Sequence, residues 1–218
     1  MHLTLPEELL LLALNERKGT TSLSAAPGLP YGLVGGCLME LALLGRVRLD
    51  DGTLVPVGGP KIDDDVLERV LERLEAATRF QRLDHWLAGS SLEAGWIRRV
   101  LLDRLVGRGI LRREESRVLR IFPRTRYPEL DARPELEIRR RLRAVLGGAS
   151  APDGRTAALV VLVHACGMVG EVVPKAERRE ARSRAQEIAG RNPVGGAIAD
   201  ALAAVHVALG AAILAASS

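Results

Sequence analysis

Arginine is the residue type in this chain with the clearest potential for binding chemistry, and it is concentrated between residues 96 and 146. That segment holds fifteen arginines against seven aspartates and glutamates, a net charge of +8, whereas the whole chain carries +4. Guanidinium groups bind phosphates and carboxylates through paired, charge-assisted hydrogen bonds. The segment therefore predicts an anionic partner, which could be a membrane surface, a nucleic acid or a phosphate-bearing ligand.

The sequence contains no motif that is typical of catalysis or cofactor binding. It has no phosphate-binding loop, no dinucleotide-binding glycine motif and no nucleophile elbow. The four histidines, at positions 2, 85, 164 and 206, do not have the spacing of metal ligands. Cys37 and Cys166 lie on apolar helical patterns, which favours buried thiols and a reducing compartment. We therefore predict a cytoplasmic protein that is not an enzyme and uses no cofactor or metal.

A helix that runs directly into a β-hairpin is predicted for residues 32–57. Apolar residues recur there at helical spacing, and Gly45 ends the pattern as a left-handed cap would. Alternating apolar and charged residues then predict a strand, and Asp51-Gly52 is typical of a tight hairpin turn.

A second stretch, residues 97–122, repeats this arrangement within the arginine-rich segment. It predicts, in chain order, a helix ending at Gly109, a strand starting at Ile110 and Leu111, a turn at Glu114 to Ser116, and a return strand at Val118 to Phe122. The two stretches are either an internal repeat or two ordinary helix–hairpin junctions.

Most of the remaining chain shows helical patterns separated by joints rich in glycine and proline. Thr4 and Glu7 form a capping box for the first helix, and Asp63 is the expected cap of a later one. Residues 135–146 form a basic helix for which we expect Leu136 to point inward.

Two strongly apolar stretches, residues 156–173 and 194–216, are expected to be core helices, because each is short or rich in alanine and glycine for a membrane span. Residues 20–31 form an uncharged loop that either contacts a bilayer interface or packs on its own domain. The predicted fold class is mostly α: one domain over residues 1–218, a helical bundle with two short β-hairpins.

Four stretches occur together in a familiar order: LTLPEELLLLALNERKGTTS, GLVGGCLMELALLGRVRL, LVGRGIL and GRTAALVVLVHACGMVGEVV. Together they resemble the Golgi phosphoprotein 3 family over nearly the whole chain. The resemblance implies a mostly α-helical single domain. Eukaryotic members are peripheral membrane proteins that bind phosphatidylinositol 4-phosphate through a basic pocket and hold the cytoplasmic tails of glycosyltransferases.

The positions of that family's lipid pocket can be matched to this sequence residue by residue. It uses a tryptophan in the early loop, an arginine before the Gly-Gly of the second helix, and two arginines three residues apart in the later repeat helix. The corresponding residues here are Ser24, Val34, Gly95 and Arg98, and Arg99 is an added neighbour. The resemblance therefore implies that Arg98 and Arg99 bind a lipid headgroup, while specificity for phosphatidylinositol 4-phosphate is not expected.

The expected partner is thus an anionic lipid or membrane surface, with protein partners as a further expectation. One alternative is a protein-interaction scaffold that binds no lipid. Another is a winged-helix-like nucleic-acid binder, in which Arg112, Arg113, Arg117 and Arg120 on the second hairpin would contact phosphates. Arginine also outnumbers lysine by 28 to three, which suggests GC-rich coding in a bacterial member and competes with any functional explanation of the charge.

Overall fold

The computed structural model describes residues 2–15, 18–22, 25, 27–77, 82–83, 86–87, 91–118 and 122–191. Helices dominate this part of the chain, so the predicted mostly α class is confirmed. In order they are α1 (Leu5–Ala13), α2 (Leu29–Leu43), α3 (Asp65–Glu75), α4 (Ser91–Gly107), α5 (Arg133–Leu146), α6 (Gly154–Ala165), α7 (Val169–Val172) and α8 (Arg178–Gly190), with a 3-10 turn at Lys175–Glu177. The core helix predicted at 194–216 lies outside the described residues.

The first predicted hairpin is confirmed. After α2, strands β1 (Val47–Asp50) and β2 (Thr53–Pro56) pair antiparallel, with Asp50 opposite Thr53. Asp51 and Gly52 have φ angles of 46° and 74°, the left-handed conformation that a two-residue hairpin turn requires. Gly45 also has a positive φ, 69°, as expected of the residue that ends α2.

The second hairpin is displaced from its predicted position. Its strands are β3 (Glu114–Val118) and β4 (Phe122–Arg126), so the residues predicted to form the turn lie in a strand. Leu111 instead forms an isolated bridge to Glu129. The prediction was wrong because it took a polar run as a turn, whereas a two-stranded ribbon on the surface tolerates polar residues along its strands.

Carboxylate side chains cap the N-termini of α1 and α3. Glu7 accepts a hydrogen bond at 2.8 Å from the backbone N–H of Thr4, which confirms the capping box. The cap of α3 is Asp64, one residue after the predicted Asp63. Its carboxylate accepts hydrogen bonds of 3.0 and 2.9 Å from the backbone N–H groups two and three residues further on.

Helix α2 lies at the centre of the bundle, where it packs against α1, α4, α6 and α3. Apart from the buried Glu40 its side chains are almost entirely apolar, as expected of a helix that is covered over most of its surface. Cys37 on α2 and Cys166 after α6 are buried free thiols, as predicted. Burial raises the pKa of the Cys166 thiol to about 12. In the part of the chain that the structure describes, no helix has the length and apolarity to cross a bilayer.

Gly32 should be sensitive to the smallest enlargement, because a Cβ there would overlap the Sγ atom of Cys166. We expect Gly32→Ala to lower the free energy of unfolding by about 1–3 kcal/mol, the usual cost of overpacking a core. The matched control is Gly95→Ala on α4, where a Cβ meets nothing within 4 Å. That change should raise stability by roughly 0.5–1 kcal/mol, because it removes a helix-interior glycine. Urea denaturation measures both, and equal effects would contradict the prediction.

Helix α5 contradicts the expectation that Leu136 points inward. Leu136 is 60% exposed, whereas the neighbouring Glu135 is buried. The buried face of α5 consists of Glu135, Ile138, Leu142, Val145 and Leu146. Glu135 can occupy that face because Arg139, one turn later, forms an ion pair of 2.5 Å with it. The helix therefore buries a paired carboxylate and leaves a leucine in solvent.

Candidate anion-binding surface

Arg98 lies on α4 beside the loop that follows α1. Its Nη2 atom donates to Thr21 Oγ1 at 3.5 Å, a long contact, and its side chain is partly buried. Among the described residues no carboxylate forms a salt bridge with it. Burial lowers the pKa of Arg98, and the nearby Tyr127 opposes this effect. An arginine keeps its charge even so, and a partly desolvated cation without a carboxylate partner favours a bound anion.

Arg99 is the next residue and is exposed. In the described part of the chain no carboxylate lies within ion-pair distance of it. Consecutive residues on a helix point about 100° apart, so Arg98 faces the loop while Arg99 points toward solvent. The two guanidinium groups therefore belong to one region of the surface but do not form a closed pocket between them.

The loop beside Arg98 is fixed to the rest of the molecule at Gly19, which has a φ of +58°. The carbonyl of Gly19 accepts a hydrogen bond of 2.9 Å from the Tyr127 backbone N–H. A Cβ at position 19 would overlap the backbone of Tyr127 and Pro128. Thr21 in turn pairs with Leu14 at the end of α1. These contacts determine where Thr21 lies, and hence the surroundings of Arg98.

Most other arginines of segment 96–146 are already engaged, so the positive charge counted along the segment is not all available at the surface. At least eight of the fifteen form ion pairs with carboxylates of described residues. They are Arg104, Arg108, Arg112, Arg113, Arg133, Arg139, Arg140 and Arg141. Several partners come from outside the segment, so part of its +8 charge is neutralised locally.

Partly buried ion pairs join α1 and the start of α3 to the arginine-rich segment 96–146. Arg108 Nη1 lies 3.2 Å from Glu7, and Arg141 Nη2 lies 2.7 Å from Glu8. Arg104 forms a 2.8 Å pair with Asp64, the cap of α3. Both glutamates are buried, so these arginines stabilise the fold and are not available to a ligand.

The remaining positions of the family pocket hold no cation. Val34 is completely buried in α2, and Gly95 is exposed on α4 one turn before Arg98. Ser24 lies outside the described residues. Of the two arginines predicted to bind a headgroup, the structure places Arg98 beside the early loop and Arg99 in solvent next to it.

A comparison with models of known protein families identifies the family of this chain. The model of the Golgi phosphoprotein 3 (GPP34) family matches residues 5–205. The chain belongs to the GPP34 family. The match covers all the described helices, so the resemblance that the four sequence stretches indicated is confirmed.

A groove of this GPP34 protein, of about 650 Å³, lies between α3 and α4. Five acidic residues line it, at positions 63, 64, 65, 68 and 72, together with four basic ones. Arg104 there is held by Asp64, and Arg108 is held by Glu7. The groove is therefore a mixed-charge surface and is a poorer candidate for an anion than the region of Arg98.

Sequence reasoning located Arg98 but missed the residues that surround it. Thr21 and Gly19 lay in or next to a loop that was noticed only for its lack of charge. Tyr127 lies in a proline-rich stretch whose sequence shows no sign of burial, yet it is buried and its backbone N–H donates to the Gly19 carbonyl. The proximity of these segments depends on contacts about a hundred residues apart in sequence, which no local pattern reveals.

Proposed function

We propose that this GPP34 protein is a non-catalytic peripheral membrane module that binds anionic lipid surfaces through Arg98 and Arg99. The observation that carries the proposal is Arg98 itself, a partly buried guanidinium beside the early loop with no carboxylate partner among the described residues. At least eight other arginines of segment 96–146 pair with carboxylates, so a partly buried arginine without such a partner is informative. A cytoplasmic location with reversible membrane attachment is consistent with two buried free thiols.

The proposed interaction depends on charge and does not select one inositol phosphate isomer. Recognition of a particular phosphorylated headgroup needs several donors with fixed geometry. Here two of the four family positions are a buried valine and an exposed glycine. A basic residue near an anionic leaflet contributes roughly 1 kcal/mol, so two arginines support weak, salt-sensitive attachment.

Vesicle co-sedimentation tests the proposal. The protein should pellet with vesicles containing phosphatidylserine or phosphatidylinositol 4-phosphate at equal surface charge, and not with neutral phosphatidylcholine. We expect the double variant Arg98→Gln/Arg99→Gln to bind about 30-fold more weakly, the equivalent of about 2 kcal/mol. Higher salt should weaken the binding of the unaltered protein.

The matched control is Arg48→Gln/Arg179→Gln, which lowers the net charge by the same two units at exposed positions elsewhere. It should retain most of the binding. Equal losses in the two double variants would indicate an unspecific charge effect, and absence of pelleting with any anionic vesicle would refute the proposal. Marked preference for phosphatidylinositol 4-phosphate would refute the loss of specificity.

The nucleic-acid alternative gains no support from the second hairpin. Arg112 and Arg113 form ion pairs with Glu114 and Asp103, at 2.7 and 2.9 Å, and Glu115 follows on the same strand. A gel-shift experiment with random duplex DNA tests this alternative directly. The scaffold alternative predicts a protein that binds no vesicle of any composition.

A further inference from the structure

A groove of about 800 Å³ borders the loop that contacts Arg98. Leu14, Asn15 and Ser22 form its loop side, and the first turns of α5 form the opposite side. Ser22 follows Thr21, the residue that Arg98 contacts. The segment of Thr21 and Ser22 therefore borders both Arg98 and the groove.

The α5 side of the groove combines a leucine with three arginines. Leu136, Arg139, Arg140 and Arg143 all line it. They are spaced three, four and seven residues from Leu136, which places them along one face of the helix. Leu136 is the residue whose exposure contradicted the sequence pattern, and it is among the most exposed large apolar residues of the described chain, at 60%.

The three arginines differ in how firmly they are held. Arg139 belongs to the fold, because it pairs with the buried Glu135 and donates to the Glu171 carbonyl. Arg140 is 76% exposed and pairs with Glu137, itself 58% exposed. Such a surface pair is weak and exchanges readily for another anion.

Arg143 is exposed and uses its Nε atom to bind the Val172 carbonyl at 2.7 Å. Within the described ranges no carboxylate forms a salt bridge with Arg143, so the outer edge of its guanidinium can meet an anion. The lining of the groove includes one acidic side chain, Glu171, among the described residues. The groove is therefore predominantly basic at the edge where Leu136 is exposed.

We propose that the membrane-binding surface extends from Arg98 across the loop to α5, with Leu136 entering the acyl-chain boundary and Arg140 and Arg143 contacting lipid phosphates. This inference rests on the proposed function and adds a second, apolar contribution to it. Interfacial helices bind anionic bilayers by combining apolar side chains that enter the acyl boundary with basic side chains that contact lipid phosphates, and the exposed side of α5 offers both kinds. The partner at this surface is accordingly an anionic bilayer, whose headgroups meet the basic edge of the groove.

The two native thiols allow a direct test of where the protein meets the bilayer. Cys37 and Cys166 are buried, and burial raises the pKa of both, so a thiol-reactive fluorophore should label an added surface cysteine selectively. When an environment-sensitive fluorophore is attached to the Leu136→Cys variant, its emission should shift to the blue on vesicles containing phosphatidylserine. The control is Leu43→Cys, because Leu43 is similarly exposed, at 47%, and lies at the far end of α2, about 21 Å from its start.

Affinity gives an independent readout. We expect Leu136→Ser to weaken vesicle binding about ten-fold, because it removes the transfer of a leucine side chain from water. Leu43→Ser should change binding less than two-fold. The contribution of Leu136 should persist at high salt, whereas that of Arg98 and Arg99 should not.

The outcomes separate this inference from the proposed function. Vesicle binding that depends on Arg98 and Arg99 but leaves the fluorophore at position 136 unshifted would overturn the inference and leave the function standing. Equal shifts at positions 136 and 43 would overturn it as well. If the unaltered protein binds no anionic vesicle, both proposals are refuted.

Discussion

Replacing Glu40 by leucine is expected to lower the free energy of unfolding by about 3 kcal/mol. The buried Glu40 carboxylate accepts hydrogen bonds of 2.6 Å from the Leu5 backbone N–H and 2.7 Å from Arg155 Nη1. Leucine would leave both donors without this acceptor inside the bundle. The figure is at the lower end of the usual range because Glu8 lies 3.9 Å from Arg155 and compensates part of its charge. Urea denaturation measures the effect.

A matched control and a double variant distinguish the buried Glu40–Arg155 ion pair from an exposed surface pair. Glu137→Leu removes the partner of Arg140 on the surface of α5 and should cost less than about 1 kcal/mol. Combining Glu40→Leu with Arg155→Met should cost clearly less than the sum of the two single changes, because the double variant buries no unpaired charge. Additive costs would contradict this account of Glu40.

The ion pairs also show why charge in the sequence overstated the cationic surface. The composition of segment 96–146 correctly indicated an excess of arginine, but it could not show where each guanidinium finds its carboxylate. Glu8 and Arg141 are 133 residues apart, and Glu7 and Arg108 are 101 residues apart. Pairing over such separations is decided by how α1 packs against α5 and α4, which lies beyond any local pattern.

The local sequence, by contrast, predicted the elements well wherever a turn or a helix end requires a particular residue type. Asp51-Gly52 specified the first turn, Gly45 and Gly109 specified the ends of α2 and α4 through positive φ angles, and Thr4 with Glu7 specified the start of α1. The second hairpin failed because its first strand is polar, so neither alternation nor apolarity distinguished it from a turn.

The candidate site was predicted in part. The family resemblance indicated Arg98 and Arg99, whose binding of a headgroup stays a prediction, and the structure places Arg98 next to the uncharged loop. The exposure of Leu136 could not be predicted, because the observed orientation of α5 buries Glu135. Burying a glutamate is expected to be unfavourable, and the sequence does not reveal the ion pair with Arg139 that compensates for it.

Replacing Gly19 by alanine should both destabilise the protein and displace the loop that borders Arg98. An L residue at a φ of +58° costs about 1–2 kcal/mol. The Cβ would in addition overlap the backbone of Tyr127 and Pro128, which cannot yield as a flexible side chain would. We expect a total loss of about 2–5 kcal/mol in the free energy of unfolding, measured by urea denaturation.

Gly109→Ala separates the two contributions. Gly109 has a φ of +70°, but a Cβ there meets nothing within 4 Å, so this variant should show the backbone cost alone. The difference between the two variants, about 1–3 kcal/mol, then measures the close approach of the loop to Tyr127 and Pro128. If the two variants are equally destabilised, the loop is not fixed by that contact. Because the same contact determines the position of Thr21, folded Gly19→Ala protein should also bind anionic vesicles more weakly than Gly109→Ala protein of equal concentration.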